Sequence, residues 1–338
     1  MNKNKLNNIA LSIAKKPKGI LAADESTGTI TKRFGQINLE SSFESRRKYR
    51  ELLFTSKEVE NFISGIIMYD ETIRQNDTKG IPFVELLKKK NIHPGIKVDS
   101  GAKELVGSER EKITEGLDNL NKRIEEYSEM GATFTKWRAV INIGEKIPTN
   151  YCIELNAHAL ARYARIVQKY NMVPIVEPEI IMDGSHDIEK CFEVTKNVLK
   201  IVFEQLKFQG VYLGGILLKP NMIISGTDCK KQANVSKVSE MTIKCLEQCV
   251  PNELPGIVFL SGGQSYDTAT EHLNHMNLMK SDLCNLSFSY GRALQQPVLS
   301  TWEGKEENKE KAQNEFFKRC KLNSLATLGQ YKAEMENT

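Results

Sequence analysis

Residues 173–180 read VPIVEPEI, a nearly unbroken apolar run with two glutamates, Glu177 and Glu179, two positions apart near its end. A charged, helix-like stretch, AHALARYARIVQKYN (157–171), comes just before it. Short apolar runs of this kind suit strands that are covered on both faces. Seven more follow the same form: GILAADE (19–25), GIIMYDE (65–71), GIKVD (95–99), ATFTKWRA (132–139), GILLKP (215–220), GIVFLSG (256–262) and LSFSYG (286–291). The intervals carry charged, helix-like sequence, for example EREKITEGLDNLNKRIEEYSEMG (109–131). Strand and helix alternating eight times predict parallel pairing. Eight units in about 300 residues fit an α/β fold of the (β/α)8 TIM-barrel type. A doubly wound open sheet is the alternative.

Composition narrows the class. With 40% hydrophobic residues and 22 glycines the chain can bury a sizeable core, and 27% charge excludes global disorder. The net charge of +4 gives no reason to expect a nucleic-acid or anionic-membrane binder. No apolar run is long enough for a membrane span or a signal sequence. Seven scattered cysteines without a CxxC fit a reducing, cytoplasmic setting. Leu6, Ile9, Ala10 and Ile13 fall at helical spacing. One domain, 1–338, is therefore expected, with an N-terminal helix over 1–17 and a C-terminal helix and tail over about 305–338. The stretch 302–331 should pack outside the barrel, and the polar end KAEMENT (332–338) should fray.

Nearly every run ends in polar or charged residues: Asp24-Glu25, Asp70-Glu71, Lys97 and Asp99, Lys136 and Arg138, Glu177 and Glu179, Lys219, Ser261, and Ser289 before Arg292. Strand side chains alternate faces, so each i,i+2 pair points one way. In a barrel that way can be the interior, at the C-terminal mouth where active sites sit. Exposed strand ends are often charged, but eight in a row imply a converging cluster.

Lys219 sits in GGILLKPN, at the end of an apolar run. Burial disfavours an ammonium, and a neighbouring cation, which Lys136 could supply, disfavours it further. A neutral lysine attacks carbonyls to form a Schiff base. The alternative is a lysine that snorkels to solvent. Glu177 and Glu179 can act as acid and base, or pair with Lys136 and Arg138. Asp24 is placed to take a proton from a substrate hydroxyl, or to cap the next helix. The turns Ser261-Gly262-Gly263-Gln264 and Ser289-Tyr290-Gly291-Arg292 follow runs seven and eight, where barrels bind phosphate. Lys97, Ser26 and Thr29 could hold a second phosphate. The five histidines form no metal-ligand pattern, and no nucleotide-binding motif occurs, so neither metal nor cofactor is expected.

The chain resembles class I fructose-1,6-bisphosphate aldolase, the metal-independent Schiff-base type. The resemblance runs from about 18 to 331 through KGILAADESTGTITKRF, GIKVDSG, TKWRAVINIG, PIVEPEI, LLKPNM, FLSGGQS and FSYGRALQ. It implies a TIM barrel, a homotetramer, and reversible cleavage of fructose 1,6-bisphosphate into dihydroxyacetone phosphate and glyceraldehyde 3-phosphate. It makes Lys219 the imine-forming lysine, Glu177 the acid/base of imine formation, and Glu179 a neighbour of Lys219. Asp24 would assist C3–C4 cleavage and position the lysines, Lys136 would be an electrostatic neighbour, and Arg138 would contact phosphate. Ser261, Gly262, Gly291 and Arg292 would cradle the C1 phosphate, and Ser26, Thr29 and Lys97 the C6 phosphate. Thr29 stands where relatives usually have serine. Some members also bridge actin to other partners, so sugar phosphates are the expected ligands and actin a secondary partner. Many relatives end in a tyrosine that helps protonate the enamine; here Thr338 is last, and Tyr331 is not given that role.

Overall fold

The computed structural model describes residues 1–337; Thr338 lies outside them. Eight strands form a closed, all-parallel barrel, each paired with its neighbours in chain order. They are β1 (Gly19–Ala23), β2 (Ile63–Met68), β3 (His93–Lys97), β4 (Phe134–Ile141), β5 (Val173–Ile180), β6 (Leu217–Leu218), β7 (Gly256–Phe259) and β8 (Asn285–Tyr290). β8 closes onto β1 with Ile20 opposite Ser289. Every strand overlaps one of the eight apolar runs, and the closed ring excludes the open sheet.

Alternation sorts each strand into two layers. In β4, Trp137 and Ala139 face the helices, where Trp137 stacks on Tyr163, while Lys136, Arg138 and Val140 face the mouth. Below the mouth the interior is apolar, filled by Ile20, Ile67, Phe134, Ile175, Leu217 and Val258. Phe134 fits because its neighbours are small: a Cβ on Gly95 of β3 would lie 2.2 Å from its ring. Gly95→Ala should therefore overpack the interior and cost about 1–3 kcal/mol; a denaturant melt with an unchanged midpoint would contradict this.

The helix Lys3–Ile13 closes the opposite end. Leu6, Ala10 and Ile13 join the interior cluster, and Ala14 packs with them against Gly256. This helix is shorter than the 1–17 expected, since the chain turns at Ala14 to enter β1.

Two further expectations need correction. The stretch 109–131 is helical only over Leu120–Glu129. Its first part contributes the short strand Lys112–Thr114, which pairs antiparallel with Ala102–Glu104. The C-terminal helix runs Lys309–Thr327 and packs outside the barrel against Tyr266–Leu278 and Arg292–Trp302. The tail after it does not fray. Ala333–Asn337 forms a 3-10 turn in which Glu336 takes both carboxylate oxygens to Arg319 Nη1 (2.7 and 2.6 Å), and Tyr331 donates its hydroxyl to Glu336 (3.1 Å). Arg319 is fully buried, so this carboxylate compensates a charge that would otherwise be costly.

Candidate active site

The strand ends build one cavity of about 470 Å³ at the C-terminal mouth. Lys219 enters from the end of β6, where Pro220 cannot donate to a ladder and the strand stops. Its own N–H still donates to Val176 O of β5 (2.8 Å). Asn221, buried just beyond, accepts from Ile180 N (3.1 Å) and donates to Met222 O (3.1 Å). The lysine is thereby fixed relative to the end of β5, which carries Glu177.

Lys219 does not snorkel; it is 4% exposed. Its Nζ lies 3.0 Å from Glu177 Oε1. Glu177 Oε2 is 3.4 Å from Lys136 Nζ, and Lys136 Nζ is 2.8 Å from Asp24 Oδ2. Two ammoniums and two carboxylates thus alternate in a buried line. Alternation lets mutual attraction offset part of the desolvation of each charge. Burial alone would raise the Glu177 carboxyl, but Lys219, Lys136 and Arg138 hold it below the usual carboxylate range. Burial likewise opposes ionisation of Asp24, and Lys136, Lys219 and Lys97 outweigh it, leaving the carboxyl far below its ordinary value. Lys136 is pushed the other way: burial would lower it, and Asp24, Glu177 and Asp99 raise it well above a normal lysine.

Glu179, expected beside Lys219, instead hydrogen-bonds Arg138 Nε, with no contact to the lysine. Asp24 is not a helix cap. The cap position of Thr27–Gly35 belongs to Ser26, whose hydroxyl makes no capping bond and meets Thr29 Oγ1 at 3.1 Å. Ser26 and Thr29 at that helix start line the cavity together with Lys97, an arrangement that favours an anion. Lys97 lies 3.4 Å from Asp99 Oδ1.

Across the mouth stand Ser261, Gly262, Ser289, Gly291 and Arg292. The turn needs glycine at 262, where φ is +58°. Arg292 Nη2 donates to Gly262 O (2.6 Å). Burial and then the nearby Arg33 make its proton easier to lose than an ordinary guanidinium's. Ser289 Oγ is buried and makes no hydrogen bond. Three residues of these turns, Gly263, Gln264 and Tyr290, do not line the cavity. Tyr290 points outward, its hydroxyl donating to Ala269 O (3.0 Å), and Gly263 donates to Met182 Sδ and lines a neighbouring groove. The end of β2 also diverges. Asp70 opens a short helix and is held by Arg74 and Tyr127, and Glu71 by Arg46, so neither reaches the mouth.

The walls include residues the sequence reading passed over: Lys32 and Arg33. Arg33 pairs with Glu25, whose other oxygen takes Arg50 Nη2 (2.7 Å), and Gln295 Nε2 donates to it (2.9 Å). In all, seven cations and five carboxylates line the cavity. The excess positive charge, the unpaired Ser289 hydroxyl on one side and the start of the helix Thr27–Gly35 on the other suit a small molecule carrying two anionic groups. Among the described residues no group of His, Cys, Asp and Glu is arranged to hold a metal ion, and no helix is long and apolar enough to cross a membrane.

Comparison with known proteins gives one answer. The family model for fructose-bisphosphate aldolase class-I matches residues 5–338. A probable fructose-bisphosphate aldolase class 1 of Xanthomonas axonopodis pv. citri (strain 306) is 53% identical over 316 residues, 93% of this chain and 95% of the relative. The cytosolic fructose-bisphosphate aldolase 6 of Arabidopsis thaliana is 52% identical over 318 residues, covering 94% and 88%. Among solved structures, the aldolase of Plasmodium falciparum, crystallised in a ternary complex with TRAP and a small-molecule inhibitor, superposes with a TM-score of 0.96 at 48% identity. The match covers 98% of this chain and 96% of that one.

Proposed function

Since the chain belongs to the class I fructose-bisphosphate aldolase family, we propose that Lys219 forms the imine with the substrate ketone and that Glu177 moves the protons. The protein is a metal-independent lyase that reversibly cleaves fructose 1,6-bisphosphate to dihydroxyacetone phosphate and glyceraldehyde 3-phosphate in glycolysis and gluconeogenesis. The observation that carries the residue assignment is the 3.0 Å contact of a buried Lys219 with Glu177 inside a cation-rich mouth.

Glu177 takes the lysine's proton, and the freed amine adds to C2. The resulting hydroxyl leaves as water with the proton Glu177 holds, which regenerates the carboxylate beside a cationic iminium. The iminium then accepts the C3–C4 bond pair and becomes a neutral enamine, while the C4 hydroxyl proton goes to a carboxylate. Glu177, which reaches both Lys219 and Lys136, is the base assigned to this step. Asp24 instead keeps Lys136 in place, 2.8 Å away. Ser261, Gly262, Ser289, Gly291 and Arg292 hold the C1 phosphate; Ser26, Thr29 and Lys97 hold the C6 phosphate, with Arg138 on that side. Anchoring at both ends orients C2 toward the amine, an effect that can contribute on the order of 7–11 kcal/mol.

Borohydride reduction in the presence of dihydroxyacetone phosphate, followed by peptide mass analysis, should place the adduct on Lys219; an adduct on another lysine sinks the assignment. Arg292→Ala should raise KM for the bisphosphate about ten- to a hundredfold, the scale of losing a charge-assisted hydrogen bond. An unchanged KM would move the cradle elsewhere. Dialysis against EDTA should leave the rate unchanged, since the lysine supplies the electron sink; recovery only on adding zinc would contradict this. A cytoplasmic location, supported by the cytosolic names of close plant relatives, and the homotetramer implied by the resemblance complete the proposal. A secondary protein-docking role, with actin as the partner implied by resemblance, draws support from the protein-bound Plasmodium relative.

A further inference from the structure

His272 is buried in the helix Tyr266–Leu278, which follows the turn Ser261-Gly262-Gly263-Gln264. Gln264 links the two. Its side-chain Nε2 donates to Ser261 O (3.1 Å) and meets Met222 Sδ at 3.6 Å, and its backbone N–H also donates to Ser261 O (3.2 Å). A carbonyl only accepts, so the nitrogen end of the amide must face Ser261. The oxygen end then faces the histidine, with Gln264 Oε1 2.6 Å from His272 Nδ1. Two acceptors would repel at that distance, so Nδ1 carries the proton and donates. Burial, and then the neighbouring His275, push the imidazole down to about 4. It is therefore neutral near pH 7, and the one N–H of a neutral ring is spent on Gln264.

We propose that His272 is a positioning residue for the phosphate cradle: through Gln264 it holds the Ser261 carbonyl back, so that the Gly262 N–H is presented to the C1 phosphate. This rests on the assignment of that phosphate to Ser261, Gly262, Ser289, Gly291 and Arg292. In a planar trans peptide the C=O and the following N–H point opposite ways. Tying Ser261 O to Gln264 therefore directs the Gly262 N–H away from Gln264. That N–H has no partner among the described residues, and Gly262 lines the mouth while Gln264 does not. The next peptide is held in the same manner. Gly262 O accepts from Arg292 Nη2 (2.6 Å), and Gly263 N–H meets Met182 Sδ. A turn fixed at both carbonyls need not reorganise when an anion arrives, which favours binding.

The competing role for His272 is packing alone, as bulk between a helix and the barrel. The two roles separate by which atom a replacement offers. Asparagine places an amide N–H close to where Nδ1 stands, within reach of Gln264. Glutamine carries its amide one carbon further, toward the place of Nε2, and leaves the Gln264 oxygen unpaired.

The test uses the full chain. His272→Leu should raise KM for fructose 1,6-bisphosphate about three- to tenfold, the scale of one hydrogen bond. Its kcat should be unchanged, the pattern of lost uniform binding. Half-saturation of borohydride trapping by dihydroxyacetone phosphate, whose single phosphate is the C1 phosphate, should rise by the same factor. His272→Asn should restore both values and His272→Gln should not. Gln264→Met removes the same link with the histidine in place, and it should match His272→Leu; it carries the test if His272→Leu does not fold. Parent values in His272→Leu or Gln264→Met, while Arg292→Ala raises KM, overturn the proposal and leave the cradle standing. Rescue by glutamine as well as asparagine, or a lower melting temperature with no change in KM, makes His272 a packing residue and also overturns it. Parent KM in Arg292→Ala as well would mean that the cradle itself is misplaced, and the proposal falls with it.

Discussion

Lys219→Met loses turnover by on the order of 10⁴-fold or more and gives no borohydride adduct with dihydroxyacetone phosphate. Methionine keeps the length and apolar stem of the lysine but cannot form an imine, so the C3–C4 bond pair has no acceptor. The fold should persist. Glu177 retains Lys136 at 3.4 Å, and the line of charges is shortened rather than left with a lone carboxylate. Circular dichroism and a thermal melt separate loss of chemistry from loss of structure. A folded Lys219→Met protein that still cleaves substrate at an appreciable rate would end the Schiff-base assignment.

Glu177→Gln is expected to lower kcat about 10²- to 10⁴-fold, the range for removing a positioned acid or base. Imine trapping should be slowed rather than abolished, because the amine remains. The substitution also has a signature in stability. The Glu177 carboxyl lies below the usual carboxylate range in the folded chain. Its contribution is therefore complete above the carboxyl's unfolded value and is lost as pH falls through the folded one. Glu177→Gln should remove that part of the acid sensitivity, so acid unfolding becomes shallower. Equal kcat values for the two proteins would assign the proton transfers to another group.

Most of the mouth was legible because strand side chains alternate. Lys136 and Arg138, Glu177 and Glu179, and Lys97 and Asp99 each share a face by period alone, and parallel pairing in one closed ring brings those faces together. The same rule, applied to Ser289-Tyr290-Gly291, turns Tyr290 outward, as the structure has it. Asp70 and Glu71 were misleading because a helix begins at Asp70, and alternation ends where a strand ends. Arg33 escaped notice because it reaches the cavity from a helix rather than a strand, through its pairing with Glu25. The partner of Glu179 was not decided by the sequence alone, since Lys219 and Arg138 were both near candidates; Arg138, in the neighbouring strand, holds it. The docked tail was hidden for another reason. KAEMENT is polar, and its composition does not show that the buried charge of Arg319 and the Tyr331 hydroxyl together hold Glu336.

The stopper helix Lys3–Ile13 has a consequence for how the molecule is made. It is made before much of its seat, which includes Val173, Ile175, Leu217 and Val258 from far later in the chain. Leu6, Ala10 and Ile13 have nowhere to settle until the seventh strand has emerged. Until then this amphipathic segment is a sticky, unseated stretch, and that interval is when a nascent chain of this kind is most exposed to aggregation or to capture by a chaperone.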